Sequence, residues 1–131
     1  MERFLGKYSE VLYAVMRMVI GLLFACHGAQ KLFGALGGQS RLSDPTLAAA
    51  GVIEFVGGIL VALGLWAGYA AFLASGQMAV AYFKVHAGGG FWPIINKGEL
   101  AVLYCFVFLY VASRGSGHLS IDALIRKRRH T

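Results

Sequence analysis

The residues able to do chemistry in this chain are ionisable or amide groups set at the ends of apolar stretches: His27 and Lys31, Glu54, Lys84 and His86, and Asn96 and Glu99. His27 and Lys31 are four apart and would share one face of a helix. Glu54 is a natural counter-ion for Lys31, and Glu99 is a second. Histidine exchanges protons near neutrality, its unperturbed pKa being about 6.5. Charged groups kept in an apolar setting serve either packing specificity or a polar ligand. Two readings follow from the residues alone. His27, Lys31, Glu54, His86 and Glu99 form a charge-compensated plug that holds helices in register, or they line a pocket that binds a polar head group or moves protons. Nothing in the spacing resembles a zinc, haem or iron–sulfur site. His27 and His86 without a neighbouring carboxylate motif are thin grounds for a metal, so none is expected.

For those residues to meet, the apolar stretches must alternate in direction. Four of them, at about 11–31, 47–66, 69–86 and 96–113, carry their polar groups at alternate ends. An up-down-up-down bundle therefore gathers the groups on one side. The chain is 58% hydrophobic and 14% charged, against ~45–50% and ~25% in ordinary soluble domains. Each stretch is near the ~20 residues that cross ~30 Å of hydrocarbon. Backbone groups in lipid must be satisfied within their own segment, so the stretches should be helices. The expectation is an all-α, four-helix transmembrane bundle forming one domain over 1–131, followed by a short amphipathic basic segment at 119–130.

Glycines stand inside the stretches as well as between them, and small residues let membrane helices approach closely. Gly57 and Gly64 are seven apart, which predicts a packing stripe on the second helix, with Gly58 beside it. Arg17, Phe24 and Lys31 lie on one stripe of the first helix, which must face protein rather than lipid. Burying an Arg at depth is costly, so Arg17 is expected to anchor the helix by snorkelling to the nearer surface, with catalytic use as the alternative. Cys26 and Cys105 form no CxxC pair and read as buried, unpaired thiols behaving as small hydrophobes.

Lys and Arg are unevenly distributed. Arg3, Lys7, Arg114, Arg126, Lys127, Arg128 and Arg129 fall on the side of the termini, and Lys31, Arg41, Lys84 and Lys97 on the other. The positive-inside rule places both termini in the cytoplasm and the polar cluster toward the outer side. Although the net charge is +6, the run Arg126 to Arg129 follows Leu119, Ile121, Leu124 and Ile125. That pattern suits anionic lipid headgroups better than nucleic acid. Arg17 interrupts the first apolar stretch, which argues against a cleaved signal peptide.

Several motifs occur in order along nearly the whole chain. They are Arg17-x3-Gly21 with His27-Gly28-x2-Lys31-Leu32, then Glu54-x2-Gly57-Gly58-x5-Gly64. Met78 with Ala81 and His86 with Gly90-Phe91 come next, then Glu99 and finally Gly115-x-Gly117-x2-Ser120-x-Asp122. The ordered set resembles the DoxX family of small four-helix membrane proteins. The resemblance implies a multi-pass protein of the bacterial inner membrane with a redox association, since relatives include membrane subunits of thiosulfate:quinone oxidoreductases and proteins of catechol and quinone stress responses. It implies a quinone-type ligand whose head group meets the polar cluster, with Phe24, Tyr82, Phe83, Phe91 and Trp92 as walls. A soluble or membrane redox partner and homo-oligomerisation are further expectations. The alternative is a non-catalytic scaffold or anchor for a soluble partner. No nucleotide fingerprint accompanies the resemblance: Gly88-Gly89-Gly90 precedes Phe91-Trp92-Pro93 and reads as a hairpin with interfacial aromatics.

Overall fold

The computed structural model describes residues 1–131, and every regular element in it is helical. A turn at Glu2–Leu5 and a 3-10 turn at Gly6–Tyr8 lead into α1, Ser9–Phe33. Helix α2 is Pro45–Leu63, α3 is Ala67–Ala81, α4 is Glu99–Arg114 and α5 is Ile121–Arg129. Beyond α3 the chain continues as a π-helical turn, Tyr82–His86, and a 3-10 turn, Ala87–Gly89. A single turn at Pro93–Asn96 precedes α4.

Local chemistry sets these boundaries. Asp44 caps α2 by accepting from the Thr46 and Leu47 amides at 2.9 and 3.3 Å, and Pro45 fits the first helical position, where no amide proton is needed. Gly34 and Gly64 end α1 and α2 in the left-handed conformation, at φ +67° and +68°, the usual device for closing a helix. The second helix thus stops three residues short of the expected 66. The connection to α3 is Gly64–Trp66 rather than a turn around Ala67 and Gly68. The fourth helix starts later than expected because Pro93 opens its own turn, which Lys97 closes in a left-handed conformation at φ +62°.

Two helical stretches are long and apolar enough to cross a membrane: Glu2–Phe33, with mean hydropathy 1.7, and Pro45–Leu63, with 2.1. Helices α3 and α4 are shorter, at 15 and 16 residues. The outer faces of all four are nonetheless apolar, with Leu22, Val56, Phe72, Leu73, Leu103 and Phe106 among the exposed side chains. Inside, Arg17 and Glu54 are each 1% exposed. That distribution is the reverse of a water-soluble surface.

Helices α1 and α2 pack as one hairpin and α3 and α4 as another, and the hairpins meet through α2 and α3. The first hairpin is closed by glycine. A Cβ on Gly58 would stand 2.5 Å from the Ala25 nitrogen and the Gly21 oxygen, and one on Gly21 would stand 2.6 Å from the Ala62 nitrogen and the Gly58 oxygen. Gly28 meets Phe55 and Gly51 in the same way one heptad along. The expected Gly57–Gly64 stripe is therefore not the packing face. A Cβ on Gly57 meets nothing within 4 Å, and Gly64 belongs to the turn. The face is Gly51–Gly58 against Gly21–Gly28. A Gly28→Ala substitution has only backbone to displace and should cost about 1–3 kcal/mol. Thermal unfolding in detergent would check this, with Gly57→Ala as the harmless control.

The second hairpin is closed by alanine, with Ala67, Ala71 and Ala74 of α3 fully buried beside Phe108 and Val111 of α4. Phe24 of α1 crosses the centre to α4, its ring 4.6 Å from Phe108 and 5.3 Å from Tyr104. Both cysteines are unpaired. Cys105 is half-buried, its carbonyl accepting from the Ser75 hydroxyl at 2.7 Å. Cys26 is exposed rather than buried, because it sits beside the inward stripe of Phe24 and Gly28.

Candidate functional site

At the end of the helices away from the termini, the four elements enclose a cavity of about 580 Å³. Helix α1 contributes Phe24, His27 and Lys31, and α2 contributes Leu47, Ile53 and Glu54. Gln77, Met78 and Ala81 come from α3, and Ala101 and Tyr104 from α4. Lys84, His86 and Lys97 line it from the connections that follow α3 and precede α4. Its walls are mainly apolar with a few convergent polar groups, the usual make-up of a small-molecule site.

The polar groups are organised around Glu54. Lys31 Nζ donates to both of its carboxylate oxygens, at 2.5 and 2.6 Å, and Gln77 Nε2 donates to Oε1 at 2.9 Å. Helices α1, α2 and α3 are thereby joined by one carboxylate. The partners differ in access: the Glu54 side chain is 2% exposed and that of Lys31 is 29% exposed. His27 lies edge-on to Tyr104, their ring centroids 6.0 Å apart, and makes no hydrogen bond within the protein. Its ring nitrogens are open to a hydrogen bond with a molecule in the cavity.

His86 Nδ1 is 3.2 Å from the Asn96 carbonyl oxygen. Asn96 in turn donates to the Tyr82 hydroxyl and the Gly90 carbonyl, both at 3.0 Å, and accepts from the Gly98 amide at 2.9 Å. It ties the Gly88–Gly90 loop over the bundle end, and so fixes where His86 stands.

Of the residues expected to form the site, the structure brings together His27, Lys31, Glu54 and His86, with Phe24 as a wall. Glu99 is not among them. It lies outside the cavity, in a shallow groove with Pro93, Ile94 and Leu103, because α4 begins there and turns that position outward. Phe83, Phe91 and Trp92 are exposed, and with Tyr82 they stand outside the cavity lining. Tyr104, Gln77 and Lys97 line it unforeseen. Gln77 carried a legible signal as the only amide within the third apolar stretch. Tyr104 carried none that separates it from the other aromatics of the fourth.

A second polar cluster occupies the opposite end. Arg17 does not snorkel to the surface. Its Nη1 donates to the Ser116 carbonyl and its Nη2 to the Leu119 carbonyl at 2.9 Å. Tyr13 donates to the Gly115 carbonyl at 2.6 Å. Asp122 accepts from the Ser116 hydroxyl at 2.5 Å and the Trp66 amide at 2.9 Å, while its own amide donates to the Gly64 carbonyl at 3.0 Å. A side chain on Gly64 would collide with Ser120 and the Arg17 guanidinium. The segment between α4 and α5 is thus fastened into the bundle end, with Arg17 as its centre.

The model of the DoxX family matches residues 12–87, the stretch that supplies His27, Lys31, Glu54, Gln77 and His86. A protein of Haemophilus influenzae strain Rd, described as uncharacterized, is 43% identical over 125 residues, or 90% of this chain and 93% of the relative. A second protein of that organism, with the same description, is 28% identical over 74 residues, covering 56% of this chain and 49% of its own length. No solved structure matches.

Proposed function

This chain belongs to the DoxX family, and from that premise we propose that it is a multi-pass membrane protein whose cavity holds a quinone-type ligand for a redox process. Helices α1 to α4 cross the bilayer as a four-helix bundle. The Tyr82–His86 turn extends α3 from 15 by 5 residues, near the ~20 needed for a crossing. At 1.5 Å per residue α4 spans about 24 Å, and the Pro93–Asn96 turn carries the chain through the remaining interface. The Lys and Arg bias puts both termini in the cytoplasm of a bacterial cell and the cavity toward the outer face of the inner membrane.

The observation that carries this reading is an apolar cavity with a hydrogen-bonded Lys31–Glu54–Gln77 group in its wall and an unpartnered His27 facing Tyr104. A ring lies against Phe24 and Tyr104, and its carbonyl or hydroxyl oxygen meets His27. The chain carries no electron-transferring group in its sequence motifs, so the electrons come from a soluble or membrane partner. The test is mass spectrometry of organic extracts from gently purified wild-type and His27→Ala protein, matched for helicity by circular dichroism. Quinone enriched with wild type and lost from the folded variant is the expected result; the same background in both would end the quinone reading.

One observation favours a second reading, a membrane scaffold. The exposed α5 carries Arg126, Lys127, Arg128 and Arg129 in its last turn and is rigidly oriented by the Arg17 cluster, as an acidic soluble partner would require. Under that reading His27→Ala changes nothing in the extracts.

A further inference from the structure

The charge of the cavity is out of balance, and the imbalance points to the kind of head group it receives. Lys31, Lys84 and Lys97 line it against one carboxylate, Glu54, a formal excess of two positive charges with the histidines neutral. Lys31 is satisfied by Glu54. Lys84 and Lys97 have no such partner, since the ion pairs of the protein are Lys31–Glu54 and Arg114–Glu10. The nearby acids are otherwise engaged or turned away. Asp44 accepts the first amides of α2, and Glu99 lies in the outer groove, which Lys97 borders from its other side, without closing a bridge to it. Inside, Leu47, Ile53, Met78 and Ala101 offer only apolar surface.

We infer that the occupant is an anionic amphiphile, an oxyanion head held at the rim by Lys84 and Lys97 on an apolar body lodged between the helices. The inference rests on the cavity's being the ligand site proposed above. The volume of about 580 Å³ falls within the roughly 300–1,000 Å³ of sites for drug-sized molecules, enough for one ring system or one short chain and too little for a two-chain phospholipid. Two sources share the chemistry: an ionised hydroxyl on a quinone-type ring, and the carboxylate of a single-chain acid. At the rim, with apolar protein on one side, an unpaired ammonium attracts such a head more strongly than in open water, whereas a neutral head leaves both amines to solvent.

The experiment uses the full chain in nanodiscs of neutral phosphatidylcholine and two matched pairs of probes at pH 8. One pair is an alkylated 2-hydroxynaphthoquinone and the same ring without the hydroxyl. The other is dodecanoate and dodecanol. Equilibrium dialysis of labelled probe between protein-loaded and empty nanodiscs gives the affinity for protein over lipid. The acidic member of a pair is expected to bind about tenfold more tightly, the equivalent of about 1.4 kcal/mol, and to lose that advantage in the Lys84→Gln/Lys97→Gln variant while the neutral member is unaffected. Both lysines are exposed, so the variant should fold as wild type does. A preference in the ring pair alone supports the inference together with the quinone reading. A preference in the chain pair alone supports the inference and overturns the quinone reading. Equal binding within both pairs overturns the inference and leaves the cavity as a neutral-ligand site, whereas no binding of any probe overturns both.

Discussion

Replacing Lys31 with Met lowers the stability of the folded protein by about 3–5 kcal/mol, the usual consequence of leaving one member of a buried ion pair unmatched. The effect falls on the partner. Glu54 has a side chain only 2% exposed, and with Lys31 gone it keeps one donor, the Gln77 amide. The reverse change, Glu54→Gln, is much milder. The Lys31 side chain is 29% exposed and can extend its ammonium toward the cavity mouth, and a glutamine at 54 still accepts from Gln77. The double variant Lys31→Met/Glu54→Gln recovers most of the loss, because two neutral groups need no compensation. Thermal unfolding of the four proteins in one mild detergent gives the cycle. Equal losses for the two single variants would mean that Glu54 is not buried behind Lys31 as described. The double variant also separates two roles of the same residues. If it folds and has lost its ligand, the pair serves the pocket; if it folds and keeps the ligand, the pair holds the helices in register.

Replacing Arg17 with Met costs about 3–5 kcal/mol and frees the chain beyond α4. Its two hydrogen bonds go from a cation to the Ser116 and Leu119 carbonyls, and bonds to charged groups contribute about 1.5–3 kcal/mol each. Arg17→Lys does not rescue, since a single ammonium lacks the planar fork that reaches both carbonyls. The segment that detaches begins after Arg114, whose guanidinium lies 4.0 Å from the centre of the Tyr13 ring and 2.5 Å from Glu10. Limited trypsin digestion of wild type should therefore leave the bond after Arg114 intact while trimming the exposed α5 arginines, and the Arg17→Met protein should add a cut after Arg114. An unchanged melting temperature with no new cut would show that Arg17 does not hold the segment. The result matters for function because α5 has a fixed direction only while that segment is docked.

The sequence by itself determined the helical class, the antiparallel alternation and the meeting of Lys31 with Glu54. Those follow from run length and from the rule that a charge in an apolar segment needs a partner, and both are properties of the residues in order. The same logic drew His27 and His86 to one end. It failed for Glu99 and for Tyr82, Phe83, Phe91 and Trp92, because belonging to the right end of a bundle does not say which way a side chain turns from its helix start, helix end or loop. The glycines make the point most clearly. Three pairs seven residues apart, Gly21 with Gly28, Gly51 with Gly58 and Gly57 with Gly64, define equivalent stripes in the sequence. Periodicity gives stripes but not the neighbour each one faces, and only the packed structure turns the first two toward each other. Arg17 is the parallel case among charges. Read along its own helix it should reach for water, and its partners are carbonyls of residues 99 and 102 positions away. No local pattern encodes a backbone acceptor that exists only after the chain end has folded back onto the bundle.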